Sequence, residues 1–189
     1  TITFTPTDAY TITVNDGTTV GSYVPFYGLY VDEGNQSQFV IPAADLSAMQ
    51  WGNVTKLTFH SSDVNKTWND AVFEVYLSET EATGVSSLSP VADMTQVYSG
   101  SLSIANNVME ITLTTPYLYM GGNLLVAFEE PTSGSWNGCS WNGRSAICCS
   151  PCLRSRALSS VRALPSQTCG AARRTIPCAC KTDASSQPA

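Results

Sequence analysis

Alternation of apolar and polar residues over short stretches is the feature that most constrains the fold of this chain. Leu57 and Phe59 alternate with polar neighbours, and three similar runs lie at residues 10–14, 73–78 and 109–114. Successive side chains of a β-strand point to opposite faces, so this period indicates half-buried strands. The links between the runs are rich in Gly, Ser, Asn and Pro, which favour turns. The sequence therefore predicts an all-β fold, either a sandwich or a barrel.

Several local features refine this prediction. The stretch from Leu124 to Phe128 is apolar at every position, which is typical of a central strand that is covered on both faces. Asn15-Asp16-Gly17 and Ala105-Asn106-Asn107 have the composition of turns between strands. Residues 42–49 begin with a proline and continue with good helix formers, so they predict one short helix.

The chain divides near residue 143 into two regions of different composition. The seven cysteines and all of the arginines follow Gly138, whereas only one of the 18 aromatic residues does. The net charge is −12 up to Gly138 and +6 beyond it. We therefore predict an antiparallel β-sandwich domain at residues 1–143 that lacks its closing strands. Residues 144–189 are predicted to be a largely irregular tail rich in Cys, Arg and Ser.

The composition of the tail, which has few large apolar residues, argues against a packed core. It is typical of a coding region read in the wrong frame, so we interpret residues 144–189 as a non-native frameshifted or chimeric end. Capping and stop signals predict one short basic helix at 151–164. The alternative is a cysteine cluster that binds metal or forms disulfides. Only one C-x-x-C unit, Cys149 to Cys152, is present, so we predict no zinc site.

The acidic charge of the first region limits the partners that it can bind. Contacts to phosphates need Lys and Arg, so this region is not expected to bind nucleic acid. No run of 18 apolar residues occurs, and no transmembrane helix is predicted. The sequence begins without a charged and then apolar leader, so any export signal is expected upstream.

Two polar loops contain residue types that bind Ca²⁺. Carboxylate and amide oxygens are the ligands that this ion prefers, although the spacing here is not that of an EF-hand. The alternative is that these residues stabilise turns through their own side-chain hydrogen bonds. The candidate Ca²⁺ ligands are Asp32 and Glu33 in the first loop and Asp63 and Asp70 in the second.

The tryptophans are the candidate ligand-binding residues. Exposed aromatic rings present flat apolar faces on which sugars or peptides stack, whereas buried rings serve the core. All four tryptophans lie in or near predicted loops, so an aromatic binding platform is one hypothesis and a structural role is the alternative. These residues are Trp51, Trp68, Trp136 and Trp141.

No catalytic constellation is evident. His60 is the only histidine, and it falls on the polar face of a predicted strand without a nucleophile motif. Glu129 and Glu130 are adjacent, so on an extended chain they point in opposite directions and cannot act as a glycosidase pair by themselves. We therefore expect a protein that is not an enzyme.

An ordered set of stretches resembles a β-sandwich module of exported surface proteins from Bacteroidetes-type bacteria. The resemblance covers about residues 8–143, and it is specific as a set although each stretch alone is weak. The stretches are Ser22–Gly28, Ser37–Leu46, Lys56–Phe59, Ala71–Leu77, Val97–Gly100, Thr115–Tyr117 and Gly121–Val126.

The resemblance implies a jelly-roll-like architecture, export to the cell surface, and a position next to fibronectin type III or immunoglobulin-like domains. It also implies a non-catalytic role in adhesion, in binding a glycan or a host or bacterial surface protein, or in spacing other domains. The alternatives are an accessory domain of a glycoside hydrolase and a Ca²⁺-stabilised structural spacer. The family supplies no catalytic residues, and nothing after Arg144 matches it.

Overall fold

A computed structural model describes residues 10–151, most of which lie in β-strands, and this confirms the predicted all-β class. Two short 3₁₀-helices, Ala43–Met49 and Val91–Asp93, are also present, and the first coincides with the helix predicted at 42–49. Neither helix of this part of the chain is long and apolar enough to cross a membrane. The strands are β1 (Tyr10–Gly21), β2 (Gln36–Ile41), β3 (Gly52–Ser61), β4 (Lys66–Thr67), β5 (Val72–Thr80), β6 (Thr95–Gly100), β7 (Ser103–Ile104), β8 (Val108–Tyr119), β9 (Asn123–Thr132) and β10 (Trp141–Pro151).

The strands form two four-stranded sheets and one two-stranded sheet. The first sheet has the order β1-β10-β3-β8, and the second has the order β2-β9-β5-β6. Strands β4 and β7 form the small third sheet. Every pair is antiparallel, and many neighbours in space are distant in sequence.

One hydrophobic core is shared by both large sheets. The predicted alternation is observed in β5, where Phe73, Val75 and Leu77 are completely buried. Across the core, the rings of Phe59 on β3 and Phe128 on β9 meet edge to face, with centroids 5.9 Å apart. In both large sheets, the apolar side chains of alternating residues therefore contribute to this core.

Strand β9 is central, as its uniformly apolar sequence predicted. It pairs with β2 on one side and with β5 on the other, and Leu124 to Phe128 are all buried. Strand β8 lies at an edge and contains Pro116, whose missing N–H is tolerated at a sheet edge. Its Thr114 hydroxyl donates to the Val97 carbonyl of β6 over 3.0 Å, so the two large sheets meet along this edge.

The two turns predicted from composition have different outcomes. Asn106 and Asn107 adopt left-handed φ values of 52° and 66°, and Ala105 and Val108 exchange backbone hydrogen bonds, so this turn is confirmed. The turn predicted at Asn15-Asp16-Gly17 is wrong, because β1 continues through it. The Gly17 N–H does donate to the Asn15 side chain over 3.0 Å, but the local bend only shifts the register of β1 against β10.

Strand β10 crosses the predicted domain boundary at residue 143. It lies between β1 and β3 and pairs with both, and Ile147 and Cys149 are buried in the core. That closing strands are missing from the domain stays a prediction. Residues 144–151, which were predicted to begin an irregular tail, belong to an inner strand of the first sheet. The rest of that tail, including nearly all of the helix predicted at 151–164, lies outside the described residues.

Candidate functional site

The loop that connects β1 to β2 is held in place by one buried ring. Phe26 is completely buried, and its centroid lies 4.8 Å from that of Phe73 and 5.1 Å from that of Trp141. The Gly28 N–H closes the loop by donating to the Ser22 carbonyl over 2.9 Å. Tyr23 before Phe26, and Leu29 and Tyr30 after it, are exposed.

Three tyrosines of this loop form a stacked row, which we call the tyrosine row. The rings of Tyr23 and Tyr27 are nearly parallel, 10° apart, with centroids separated by 4.9 Å. Tyr27 and Tyr30 follow with centroids 5.0 Å apart and an angle of 40°. Tyr23 is 66% exposed and Tyr30 is 49% exposed, so the row presents aromatic surface to solvent. Desolvation raises the pKa of the Tyr27 phenol, and Tyr23 and Tyr30 raise it further.

A second loop, between β9 and β10, brings Trp136 to the same region. The Cys139 N–H donates to the Gly28 carbonyl over 2.9 Å, which ties the two loops together. A Cβ atom at Gly138 would lie 3.1 Å from the Leu29 side chain and 3.6 Å from the Trp136 ring, so these two side chains flank Gly138. We define the aromatic face as the tyrosine row together with Leu29 and Trp136.

The aromatic face replaces the platform of four tryptophans proposed from the sequence. Trp68 and Trp141 are only 1% and 2% exposed, and their centroids lie 6.5 Å apart inside the core. The Trp68 indole donates to the Asn137 carbonyl over 2.9 Å, and the Trp141 indole donates to the Phe26 carbonyl over 3.0 Å. Rings this deeply buried have no free face for a ligand. Their role is to anchor the loops that carry the aromatic face.

Trp51 is 40% exposed but lies at the other end of the first sheet. It precedes β3, whereas Ser61 at the end of β3 contacts Ser140 of the second loop over 2.7 Å. Ten residues of extended strand separate these ends by about 30 Å. Trp51 therefore shares no surface with Trp136, the only one of the four tryptophans that lies on the aromatic face.

Sequence reasoning missed the tyrosines, although the chain contains a usable signal. Tyr23, Tyr27 and Tyr30 recur within eight residues of a loop that also contains Pro and Gly. Aromatic residues this frequent in an irregular segment cannot all be buried by a single sheet face. The stacking itself depends on Phe26 reaching the core, which local sequence does not reveal.

The four predicted Ca²⁺ ligands do not converge. Asp63 is engaged by Lys66 at 3.6 Å and by the Ser140 N–H at 2.9 Å, so it fixes the second loop. Asp70 is exposed with a φ of 29°, and Asp32 and Glu33 are exposed on the first loop. In residues 10–151 no three Asp, Glu, His or Cys side chains are arranged to hold a metal ion.

Glu130 is the acidic residue with the most unusual environment. It is 7% exposed and its Oε2 accepts a hydrogen bond from Asn35 Nδ2 over 3.1 Å, while its Oε1 is buried without a partner. Asn35 Nδ2 also donates to the Tyr30 carbonyl over 3.2 Å, which connects Glu130 to the tyrosine row. Desolvation raises the pKa of Glu130, the hydrogen bond from Asn35 and the nearby Gly134 amide lower it, and Asp32 raises it.

The residues considered for catalysis lie in separate environments. As alternation predicted, Glu129 and Glu130 point to opposite sides, and Glu129 accepts from Gln36 Nε2 over 3.3 Å. His60 lies on β3 opposite Val108 of β8, on the polar side of that strand. Neither arrangement supplies a pair of carboxyl groups across a cleft.

A surface depression of about 230 Å³ lies apart from the aromatic face. It is bounded by the exposed edge of β2 and by the segment that precedes the second 3₁₀-helix. Gln38 and Ser89 exchange two hydrogen bonds across it, at 2.7 and 2.9 Å. These bonds cover the edge of β2, so this depression serves to protect a sheet edge.

Sequence comparison finds no family model that matches the chain and no curated protein that is significantly similar to it. The candidate site consequently depends on geometry and chemistry alone. The aromatic face is the one feature of the described residues that combines exposed rings with loops fixed by buried anchors.

Proposed function

We propose that this chain is a non-catalytic module of an exported surface protein, and that its aromatic face binds a glycan. The single observation that carries the proposal is the row of Tyr23, Tyr27 and Tyr30, whose two outer rings are exposed. Aromatic rings bind the apolar faces of sugar rings by stacking, and phenol hydroxyls bind sugar hydroxyls. The tyrosine row offers both kinds of contact on one surface.

The rigidity of the two loops supports a binding role. Phe26 anchors the first loop in the core, and Trp141 donates to its carbonyl over 3.0 Å. In the second loop, the side chain of Asn137 donates to the Thr67 carbonyl over 2.9 Å and accepts from Lys66 over 3.1 Å. A surface that is organised before binding loses less conformational entropy when the ligand arrives.

The Tyr27 phenol also suits a neutral ligand. Desolvation raises its pKa above the ordinary value of 10.0, so it is protonated at physiological pH and can both donate to and accept from a hydroxyl group. The aromatic face contains no acidic or basic residue, so it offers no charge that would attract an ionic ligand. Most sugars are uncharged and rich in hydroxyl groups.

The proposal also includes a specific architecture within the all-β class and a cellular location. We propose that the two large sheets form a jelly-roll-like sandwich, as the family resemblance implies. Export and surface attachment also follow from that resemblance, and the absence of cysteine from residues 1–138 is compatible with them. The same surface would serve an accessory domain of a glycoside hydrolase.

A glycan array tests the proposal directly, with the full chain as the probe. The test variants are Tyr27→Ala and Trp136→Ala, and the matched control is Trp51→Ala, which removes an exposed indole at the far end of the first sheet. Stacking is worth about 1–3 kcal/mol for a ring that lies flat on its ligand, so each test variant is expected to weaken binding about tenfold or more.

Three results would contradict the proposal. One is an array without any hit, and another is a hit that both test variants bind as well as the unaltered chain. The third is a loss of binding in Trp51→Ala equal to the loss in Trp136→Ala. Capture of a protein ligand by the aromatic face, without glycan, would replace the proposal with protein adhesion. Melting curves of each variant are needed to check that the fold is retained.

A further inference from the structure

A lysine, an asparagine and an aspartate meet where β4 contacts the loop between β9 and β10. Lys66 Nζ donates to Asn137 Oδ1 over 3.1 Å, and it lies 3.6 Å from Asp63 Oδ1. We call these three side chains the Lys–Asn–Asp cluster. An amine thus lies beside an amide carbonyl that is 71 residues away in sequence, and a carboxylate lies next to the amine. The proposed binding of glycan makes no use of this arrangement.

The Asn137 amide is held at both ends. Its Nδ2 donates to the Thr67 carbonyl over 2.9 Å, while its Oδ1 accepts from Lys66. The main-chain carbonyl of Asn137 accepts from the indole of the buried Trp68 over 2.9 Å, which fixes the backbone as well. The amine nitrogen therefore has only to shift from Oδ1 to the adjacent Cγ atom. Groups held about 3–3.5 Å apart in the right orientation react much faster than free groups in solution.

The carboxylate of the cluster is also fixed. Asp63 Oδ2 accepts from the Ser140 N–H over 2.9 Å, and Oδ1 is the oxygen that contacts Lys66. The Lys66 and Asp63 side chains are 23% and 30% exposed, so both are partly shielded from water. The cluster borders the core, since Cys139 and Trp68, which adjoin it in the chain, are buried. A carboxylate placed in this way can accept a proton from the ammonium group and release it later.

We propose that Lys66 and Asn137 become joined by a covalent isopeptide bond. Asp63 accepts one proton from the Lys66 ammonium, and the lone pair of the resulting amine forms a bond to Asn137 Cγ. The bond between Cγ and Nδ2 then breaks. One proton from the attacking nitrogen and the proton held by Asp63 pass to Nδ2, which leaves as an ammonium ion. One C–N bond replaces another, so the reaction needs no oxidant and no second substrate.

The same amide has a second possible nucleophile. Asn137 is followed by Gly138, whose main-chain nitrogen can attack Cγ and form a succinimide ring, with loss of the same ammonia. The two products are therefore identical in mass. They differ in the atoms that are joined, so a test must locate the new bond.

An isopeptide bond would connect β4 permanently to the loop that carries Trp136. A cross-link between distant residues stabilises a folded chain, largely because it restricts the unfolded chain. For a link that spans 71 residues, we expect a rise in the melting temperature of about 10 °C.

Peptide mass spectrometry of the full chain, purified and then incubated in reductant, tests the proposal without any glycan. Its outcome is therefore independent of the proposed function. Trypsin cleaves after Lys and Arg, and Lys66 is the only such residue between Lys56 and Arg144. The unmodified chain yields two peptides from this stretch, whereas the joined chain is expected to yield one, lighter by one ammonia. After cleavage at glutamates instead, the peptide with Lys66 and the peptide with Asn137 should remain attached to each other.

Three variants test the role of each group. Lys66→Arg keeps the positive charge but is expected to remove the cross-link and the associated rise in melting temperature. Asp63→Asn is expected to slow cross-linking about a hundredfold, which is typical for the loss of a general base. The matched control is Lys56→Arg, because Lys56 also contacts a carboxylate, that of Glu110 at 3.2 Å, and should leave the cross-link unchanged.

The proposal is overturned if the incubated chain keeps its full mass, since the cluster then holds a hydrogen bond and no more. Loss of ammonia with normal cleavage after Lys66 would also overturn it, because that result indicates the succinimide. Cross-linking of Asp63→Asn at the rate of the unaltered chain would contradict the role given to Asp63.

Discussion

The indole N–H of Trp141 donates a hydrogen bond to the main-chain carbonyl of Phe26 over 3.0 Å, inside the core. The donor begins β10, and the acceptor lies in the loop that carries the tyrosine row. The last described strand therefore fixes the position of the candidate binding surface directly.

This bond predicts that Trp141→Phe is destabilising. The substitution leaves the buried Phe26 carbonyl without its donor and removes part of a buried ring, at a combined cost of about 2–4 kcal/mol in the free energy of unfolding. Urea denaturation measures the change. Trp136→Phe is the control, because Trp136 is 67% exposed and should change stability by less than about 0.5 kcal/mol. Equal stability of the two variants would contradict the assigned role of Trp141.

Any side chain at Gly28 is predicted to destabilise the fold. A Cβ atom there would lie 2.6 Å from Cys139 Sγ and closer still to the Cys139 carbonyl, which is backbone and cannot move away cheaply. Gly28→Ala should therefore cost about 1–3 kcal/mol. Gly84→Ala is the control, since nothing lies within 4 Å of its Cβ position. Thermal melts that are identical for both variants would show that the two loops separate more easily than the structure indicates.

Cys139 is predicted to resist alkylation in the folded chain. Burial, the largest cause, and the nearby Asp63 carboxylate raise the pKa of its thiol to about 12, although Lys66 opposes this shift. The thiolate is the reactive form, so the folded chain should protect Cys139 up to about pH 10, as measured by iodoacetamide labelling and peptide mass spectrometry. Rapid labelling of Cys139 near neutral pH, before the chain unfolds, would contradict its burial.

The raised pKa of Cys139 also determines whether the free energy of unfolding rises or falls with pH. The folded thiol keeps its proton more tightly than the unfolded thiol, whose pKa is 9.0. Its contribution to stability is therefore fully present below pH 9 and is lost as the pH rises from 9 to about 12. Cys139→Ser, compared with the unaltered chain over this range, measures that contribution.

Glu79 is predicted to stabilise the connection between β8 and β9. Its carboxylate accepts hydrogen bonds from the main-chain N–H groups of Met120, Gly121 and Gly122, the last two at 2.7 and 2.6 Å. An amide offers one acceptor oxygen and no charge, so Glu79→Gln should cost about 1–3 kcal/mol. Glu81→Gln, at an exposed site nearby, is the control. Unchanged hydrogen exchange of the Gly121 and Gly122 amides in Glu79→Gln would refute this role.

Alternation predicted the strands well, because the face of the sheet to which a side chain points depends only on its position along the strand. The apolar residues of these runs are buried as expected, namely Leu57 and Phe59 on β3 and Phe73, Val75 and Leu77 on β5. Strand β10 was missed because the prediction weighed its Arg and Cys content. Whether a residue is buried depends instead on the strands that pack around it. Cys149 lies on β10, between β1 and β3, and behaves as a small apolar residue.

The site residues were harder to predict than the strands. Trp68 and Trp141 are separated by more than 70 residues in sequence but share one core contact, so their burial depends on long-range packing. The unusual environment of Glu130 likewise depends on Asn35, which lies 95 residues away in sequence, directly before the strand β2 that pairs with β9. The exposed positions of Trp51 and Trp136 do follow from their surroundings in the sequence.

The place of β10 between β1 and β3 sets an order of events during synthesis. Tyr10 pairs with Cys149, so the first described strand leaves the ribosome long before its only neighbour in the sheet exists. Until then, the nascent chain carries one strand with no partner and a second, β3, with one side open. Unpaired strand edges favour aggregation, so a chain that ends before β10 is expected to be less stable and more prone to aggregate than the full chain.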